Sequence, residues 1–271
     1  MSEILDPTPT LTLRKNGASG STSSGVQRSL IEGYRCVACK DMGFYIRDVP
    51  RGHPDFGKAF PCACRTQGKL ERQHRRLQAI DGLTPAERRL RFSGLHVDDD
   101  NRGAYEAIVY ALSRKRGIVT LYGKPGRGKT TLLVAAVNET REANIPSVYA
   151  RVSDILDYLR SAYDPDRERE LSADERWRLL ITADVLALDE LDQFKTTPWA
   201  LEKFLALIDE RWRTMDRLVT LLAGNAALAN LPEKVASRLQ DRRAHIFHLA
   251  GIDMRRFSTW ETSAERESET A

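Results

Sequence analysis

The chain has 271 residues, 41% of them apolar, which is enough for one sizeable domain and a small accessory one. Its 42 Lys and Arg against 38 Asp and Glu leave a net charge of +4, a balance that permits contact with nucleic acid without demanding it. No apolar run is long enough to span a bilayer, and Met1 to Asp6 has neither the basic start nor the apolar core of a leader, so a soluble, cytoplasmic protein is expected.

Residues 1–30 hold Pro7, Pro9 and a Gly/Ser/Thr cluster at 17–25 with little to bury, and are expected to form a disordered tail. Residues 31–66 contain all 4 cysteines, as Cys36-Val37-Ala38-Cys39 and Cys62-Ala63-Cys64. A C-x-x-C turn presents two thiolates together, and a second close pair can complete a tetrahedron around Zn²⁺. The segment between them reads as a hairpin with a strand at Gly43 to Ile46. It has too little apolar content for a core, so metal binding would supply the folding energy. His53 is an alternative ligand to Cys62 or Cys64, because C-x-C is sterically tighter than C-x-x-C. A solvated loop position is the other reading of His53.

Residues 67–91 form a basic linker, with Lys69, Arg72, Arg75, Arg76, Arg88, Arg89 and Arg91, read as a helix, a turn and a second short helix. It suits either phosphates or an acidic partner, or is simply a solvated connection.

From Phe92 to about 258 the chain alternates helices and strands in the manner of an α/β domain. Tyr105, Ile108, Val109 and Leu112 mark a helix, and Ile118 to Tyr122 a buried strand. Then comes Gly123-Lys124-Pro125-Gly126-Arg127-Gly128-Lys129-Thr130, which fits G-x-x-x-x-G-K-[ST] between a strand and a helix. In such a loop backbone N–H groups and the helix N-terminus cradle phosphates, the Lys129 charge meets the β- and γ-oxygens, and the Thr130 hydroxyl is a Mg²⁺ ligand. A second strand is expected at 147–151, with Ser153 capping the helix after it.

The third strand, 184–188, ends in Asp189-Glu190. With a phosphate loop upstream, this pattern delivers Asp189 to Mg²⁺ and Glu190 to the attacking water as general base. Thr197-Pro198 opens a helix whose apolar face is Leu201, Phe204, Leu205, Ile208 and Trp212. A fourth strand at 218–222 runs into Asn225, within reach of the γ-phosphate or the water if this strand lies beside the loop strand. Arg238 sits on a short helix before a fifth strand at 245–249, and a polar tail closes the chain at 259–271.

The loop at 123–130, Asp189-Glu190, Asn225, Ser237-Arg238-Leu239 and Gly251-x-Asp253-x-Arg255, in that order over about residues 90–258, resemble the AAA+ ATPases of the DnaC/DnaI helicase-loader group, to which the IstB transposition helpers are similar. The cysteine pairs ahead of them resemble bacterial and phage loaders more than IstB. The resemblance implies a five-stranded parallel sheet, ATP hydrolysis with Mg²⁺, and self-association. It implies that Thr131, where many relatives carry His, joins the nucleotide-binding set. It makes Asn225 the sensor-1 residue, Arg238 an arginine finger for the neighbouring subunit's ATP, and Arg255 a candidate sensor 2. The expected function is ATP-dependent loading of a replicative hexameric helicase onto single-stranded DNA. An IstB-like transposition helper and a non-catalytic ATP-sensing zinc adaptor are the alternatives.

Overall fold

A computed structural model describes residues 34–164, 171–225 and 231–250. The expected tails, and Gly251, Asp253 and Arg255, lie outside the described residues. The chain divides into two compact units, with the boundary between Arg76 and Leu77. Residues 67–76, read from sequence as part of the linker, go with the cysteine unit, and residues 77–91 with the larger one.

The described part of the cysteine unit is a two-stranded antiparallel hairpin, β1 (Phe44–Ile46) and β2 (Ala59–Pro61), followed by helix α1, which begins at Ala63 and ends at Gln78. Tyr45 stands opposite Phe60 in the hairpin. Such a short ribbon is marginal on its own, and its rings stay largely in solvent: Phe44, Tyr45 and Phe56 are all exposed.

In the larger unit, α2 (Arg102–Arg114) precedes β3 (Gly117–Tyr122) and α3 (Lys129–Glu142). There follow β4 (Ser147–Arg151), α4 (Val152–Arg160), α5 (Ala173–Ile181), β5 (Val185–Asp189), α6 (Pro198–Arg213), β6 (Val219–Gly224), α7 (Glu233–Leu239) and β7 (His245–His248). The five strands form one parallel sheet in the order β4-β5-β6-β3-β7. Strand residues alternate between two cores: Val119, Leu121 and Ala187 pack with α2 and α3, and Ile118, Leu186 and Leu188 with α4, α5, α6 and α7. Burial on both faces is why the central strands β3, β5 and β6 read as apolar runs rather than alternating ones, while β7 at the sheet edge stays partly exposed. Each fully buried Leu or Ile contributes about 1.5–3 kcal/mol.

Several local readings hold. Thr197 caps α6 by accepting from the Ala200 N–H at 3.2 Å, with Pro198 in the first turn. Other readings shift. Ser153 caps nothing: α4 already starts at Val152, and the Ser153 hydroxyl faces Asp154. The Ser172/Glu175 capping box opens α5 instead, an arrangement worth about 1 kcal/mol. The buried face of α6 is Ala200, Phe204, Leu207, Ile208 and Arg211, whereas Leu201, Leu205 and Trp212 are only partly covered. Arg211 is fully buried because its guanidinium donates to Thr220 Oγ1 (2.9 Å) and to the carbonyls of Ala183 (2.7 Å), Ile181 (3.2 Å) and Val219 (2.5 Å). Burial draws its pKa down to about 9.

Residues 77–91 are built into this unit. The Asp81 carboxylate, with no exposed side-chain surface, takes Arg88 at 2.7 Å and Arg141 at 2.5 Å. Arg91 reaches Glu142 at 2.6 Å, and Asn138 of α3 donates to the carbonyls of Glu87 and Leu90. Two 3-10 turns, Glu87–Arg89 and Phe92–Gly94, replace the expected second helix. No helix among the described residues is long and apolar enough to cross a membrane.

Candidate functional site

The phosphate loop leaves the end of β3, the strand between β6 and β7, where the crossovers diverge and strand ends open a crevice. Gly123 is required by sterics: at φ +146°, a Cβ there would stand 2.4 Å from the Leu249 carbonyl oxygen. Gly128, at φ +77°, is the left-handed residue from which α3 starts. Lys129 is buried in the first turn, its Nζ donating to the carbonyls of Gly123 (2.6 Å) and Lys124 (2.9 Å).

Pairing of β3 with β6 and of β6 with β5 places three strand ends side by side. Around them lies a cavity of about 500 Å³ lined by Pro125, Gly126, Arg127, Gly128, Lys129, Thr130, Thr131, Asp189, Glu190, Gln193 and Asn225. The Thr130 hydroxyl donates to Asp189 Oδ2 at 2.6 Å, so the two side chains singled out for Mg²⁺ adjoin and present oxygen donors suited to a hard cation. Tyr149, on β4, donates its phenol to the same oxygen at 3.0 Å. Burial first, and the Asp189 charge second, push the Tyr149 pKa well up, so the phenol stays a donor.

Glu190 follows with φ +56°, a left-handed conformation uncommon for a residue with a side chain, and its N–H donates to Asp189 Oδ1 at 2.8 Å. Arg151 ends β4 opposite Asp189, and its Nε lies 3.5 Å from Glu190 Oε1. The Asn225 N–H donates to Asp192 Oδ1 at 2.9 Å, and Leu191 N–H to the Ala223 carbonyl at 3.0 Å; these ties fix Asn225 beside the carboxylates. Sequence reading missed Tyr149, Arg151 and Gln193. The first two had a usable signal, since polar side chains at the carboxyl end of a neighbouring parallel strand face the same crevice.

Arg238 is placed elsewhere, on α7. It donates to Asp209 Oδ1 at 3.0 Å, and its guanidinium lies 4.4 Å from the Trp212 ring centroid. Asp241, three residues on, is held by Arg243.

In the other unit the four cysteine Sγ atoms lie within 4.8 Å of one another. Cys36 and Cys62 are 3.7 Å apart, and Cys39 and Cys64 3.4 Å. A tetrahedral site with Zn–S of about 2.3 Å requires S···S separations of about 3.8 Å, so the set fits that ion. The tight C-x-C spacing works because Cys62 follows β2 while Cys64 already stands in the first turn of α1. Gly43 N–H donates to Cys39 Sγ at 3.3 Å, and Asp41 accepts from the N–H groups of Arg35 and Cys36, which fixes the turn. The backbone N–H of Cys39, more than any other group, draws Cys36 down to about 7, while burial raises Cys39 and the hydrogen bond with Cys39 raises Cys64. Thiols this close do not all ionise without a cation among them. His53 lies outside the cluster; it is exposed and accepts the Asp55 N–H at 3.0 Å.

Residues 119–248 match the ATPase family associated with various cellular activities (AAA). The chain is 25% identical over 195 residues to the phage-like element PBSX protein XkdC of Bacillus subtilis (strain 168), covering 66% of this chain and 68% of that protein. In fold it is similar to AMPPCP-bound DnaA from Aquifex aeolicus, at TM-score 0.55 and 19% identity, over 70% of this chain and 60% of that one. It is also similar to the DnaC helicase loader, at TM-score 0.52 and 18% identity, over 62% of this chain and 100% of that one. The parallel sheet, the phosphate loop and the family match together make this protein an ATPase with an AAA domain, of the AAA+ fold.

Proposed function

We propose that the protein loads a replicative hexameric helicase onto single-stranded DNA, with ATP binding and hydrolysis controlling assembly and release. The observation that carries this reading is the fold match of 62% of this chain to the whole solved chain of a DnaC helicase loader, while four cysteines stand ahead of the phosphate loop. An IstB-like role in transposition shares the ATPase chemistry but lacks an observation of its own.

For hydrolysis, the loop N–H groups and Lys129 hold the phosphates, and Thr130 and Asp189 would hold Mg²⁺, which supplies charge neutralisation at the β- and γ-oxygens. Glu190 takes the proton from the attacking water, and Asn225 orients that water or a γ-oxygen. Intact Lys129, Asp189 and Glu190 speak against an adaptor that only senses ATP. Cys36, Cys39, Cys62 and Cys64 would hold Zn²⁺ in a structural role, since four thiolates leave no open coordination position.

Arg151 restrains the base. The pair is more than a third exposed on both sides, so its worth is about 1 kcal/mol or less. Arg151→Ala is therefore expected to raise DNA-free ATP turnover by up to about fivefold with KM for ATP unchanged. Steady-state kinetics showing unchanged or reduced kcat would remove Arg151 from this role.

Arg238 acts across a subunit interface, projecting a permanently charged guanidinium toward the neighbour's γ-phosphate. Its Asp209 and Trp212 contacts then hold it ready. Arg238→Ala should bind ATP normally and hydrolyse it poorly. Mixed with Lys129→Ala subunits that supply Arg238, it should regain turnover. Failed rescue with proven co-assembly would make Arg238 structural. The partner itself is tested by capture from the native host: recovery of the replicative helicase supports loading, and recovery of a transposase replaces it with the IstB-like role.

A further inference from the structure

Positive charge is concentrated in the smaller unit. Residues 34–76 hold 10 Lys and Arg against 4 Asp and Glu, which leaves 32 basic against 34 acidic residues in the rest of the chain. On α1, Arg65, Lys69, Arg72 and Arg76 recur at intervals of four, three and four residues, one face of a helix about 16 Å along its axis. All four are exposed, and among the described residues none is ion-paired with a carboxylate. A solvated helix face would interleave acidic residues to offset this repulsion, and α1 has only Glu71, which is bonded to Gln67.

The stripe continues onto a ring. Arg65, its first member, lies 4.3 Å from the centroid of the Phe44 ring, and Arg47 lies 4.4 Å from that of Phe60. Phe60 is 5.9 Å from Tyr45 across the hairpin. Successive strand residues face opposite ways, so Tyr45 and Phe60 share one side of the hairpin with Arg47, while Phe44 lies on the other side with Arg65. Phe44 is 40% exposed, so its ring is open to a ligand at the end of the stripe.

We propose that this face of the cysteine unit, the α1 stripe with Phe44, binds single-stranded DNA. Phosphates follow the cationic row and an unpaired base stacks on the ring, the combination by which sequence-tolerant single-strand binders work. Paired bases offer no free face to Phe44, so duplex is the poorer ligand. An acidic protein would use the charges and leave the ring idle. Binding at this face rests on the loading reading only in that the chain meets single-stranded DNA, and it needs neither the helicase nor ATP turnover.

The test uses the full-length, zinc-loaded protein without ATP and fluorescence anisotropy with a 20-nucleotide oligo-dT, a duplex of equal length and a labelled polyglutamate. Lys69→Gln/Arg72→Gln/Arg76→Gln keeps good helix formers on an exposed face. It should weaken oligo-dT binding at least tenfold and make the dependence of log K on log salt shallower by about two, because each cation that no longer meets a phosphate takes about 0.7 from that slope. Phe44→Leu, with zinc retained, should weaken binding about tenfold at unchanged slope. Lys129→Ala should bind oligo-dT as the parent does, so a failed ATPase reading is told apart from a failed binding face. Parental affinity and slope in the triple variant, polyglutamate or duplex bound as tightly as oligo-dT, or loss of binding in Lys129→Ala would each overturn the proposal.

Discussion

Lys129→Ala is expected to bind ATP about a hundredfold more weakly, because a buried ammonium that meets the β- and γ-oxygens supplies charge-assisted bonds for which alanine has no substitute. Glu190→Gln keeps the loop and the Thr130–Asp189 pair, so it should bind ATP like the parent, while its turnover falls by about 10²–10⁴ for lack of a base. Equilibrium binding of a labelled ATP analogue together with steady-state turnover separates the two effects. Parental turnover in Glu190→Gln would show that another group takes the proton. Gln193, which lines the same cavity and is tied to Glu190 by its backbone N–H, would not fill the place, because an amide is no base.

The second large effect concerns the metal. Elemental analysis should find one Zn²⁺ per chain, and Cys36→Ser should release it. Metal binding at such sites is worth about 10–16 kcal/mol, more than a hairpin of two three-residue strands with exposed rings supplies, so the cysteine unit should unfold with it. ATP affinity should stay within about twofold of the parent, since Lys129 to Asn225 draw on a separate core. His53→Ala should keep its zinc. No stoichiometric metal, or retained metal in Cys36→Ser, would refute the assignment.

What was legible in the sequence follows from how local each signal is. The phosphate loop was readable because its glycines answer to backbone sterics within a few residues, as the Gly123 approach to Leu249 illustrates. The central strands β3, β5 and β6 were readable because each is buried on both faces, and β7 was readable from its His245-Ile246-Phe247-His248 run although it is only partly covered. Their ends moved by a residue or two, and strand ends are set by pairing with neighbours that no local window contains. Arg211 was not legible: a charged residue on a helix reads as surface unless four acceptors from distant segments converge on it. That Arg151 faces the crevice had a signal in its place at a strand end, but its pairing with Glu190 did not, since only the register of β4 against β5 brings the two together. In the cysteine unit the ligand types were plain, but the choice between His53 and a C-x-C pair turned on the change from strand to helix between Cys62 and Cys64.

Loading itself is tested most directly on closed circles of single-stranded DNA, which a hexameric ring cannot enter from an end. The cognate helicase, this protein, ATP and the circles are mixed, and helicase that stays with DNA through gel filtration at elevated salt is counted. With the parental chain and ATP, helicase should accompany the circles. With Lys129→Ala, or without ATP, it should not. Equal helicase on the circles whether or not the chain and ATP are present would contradict loading, and so would none with all components present.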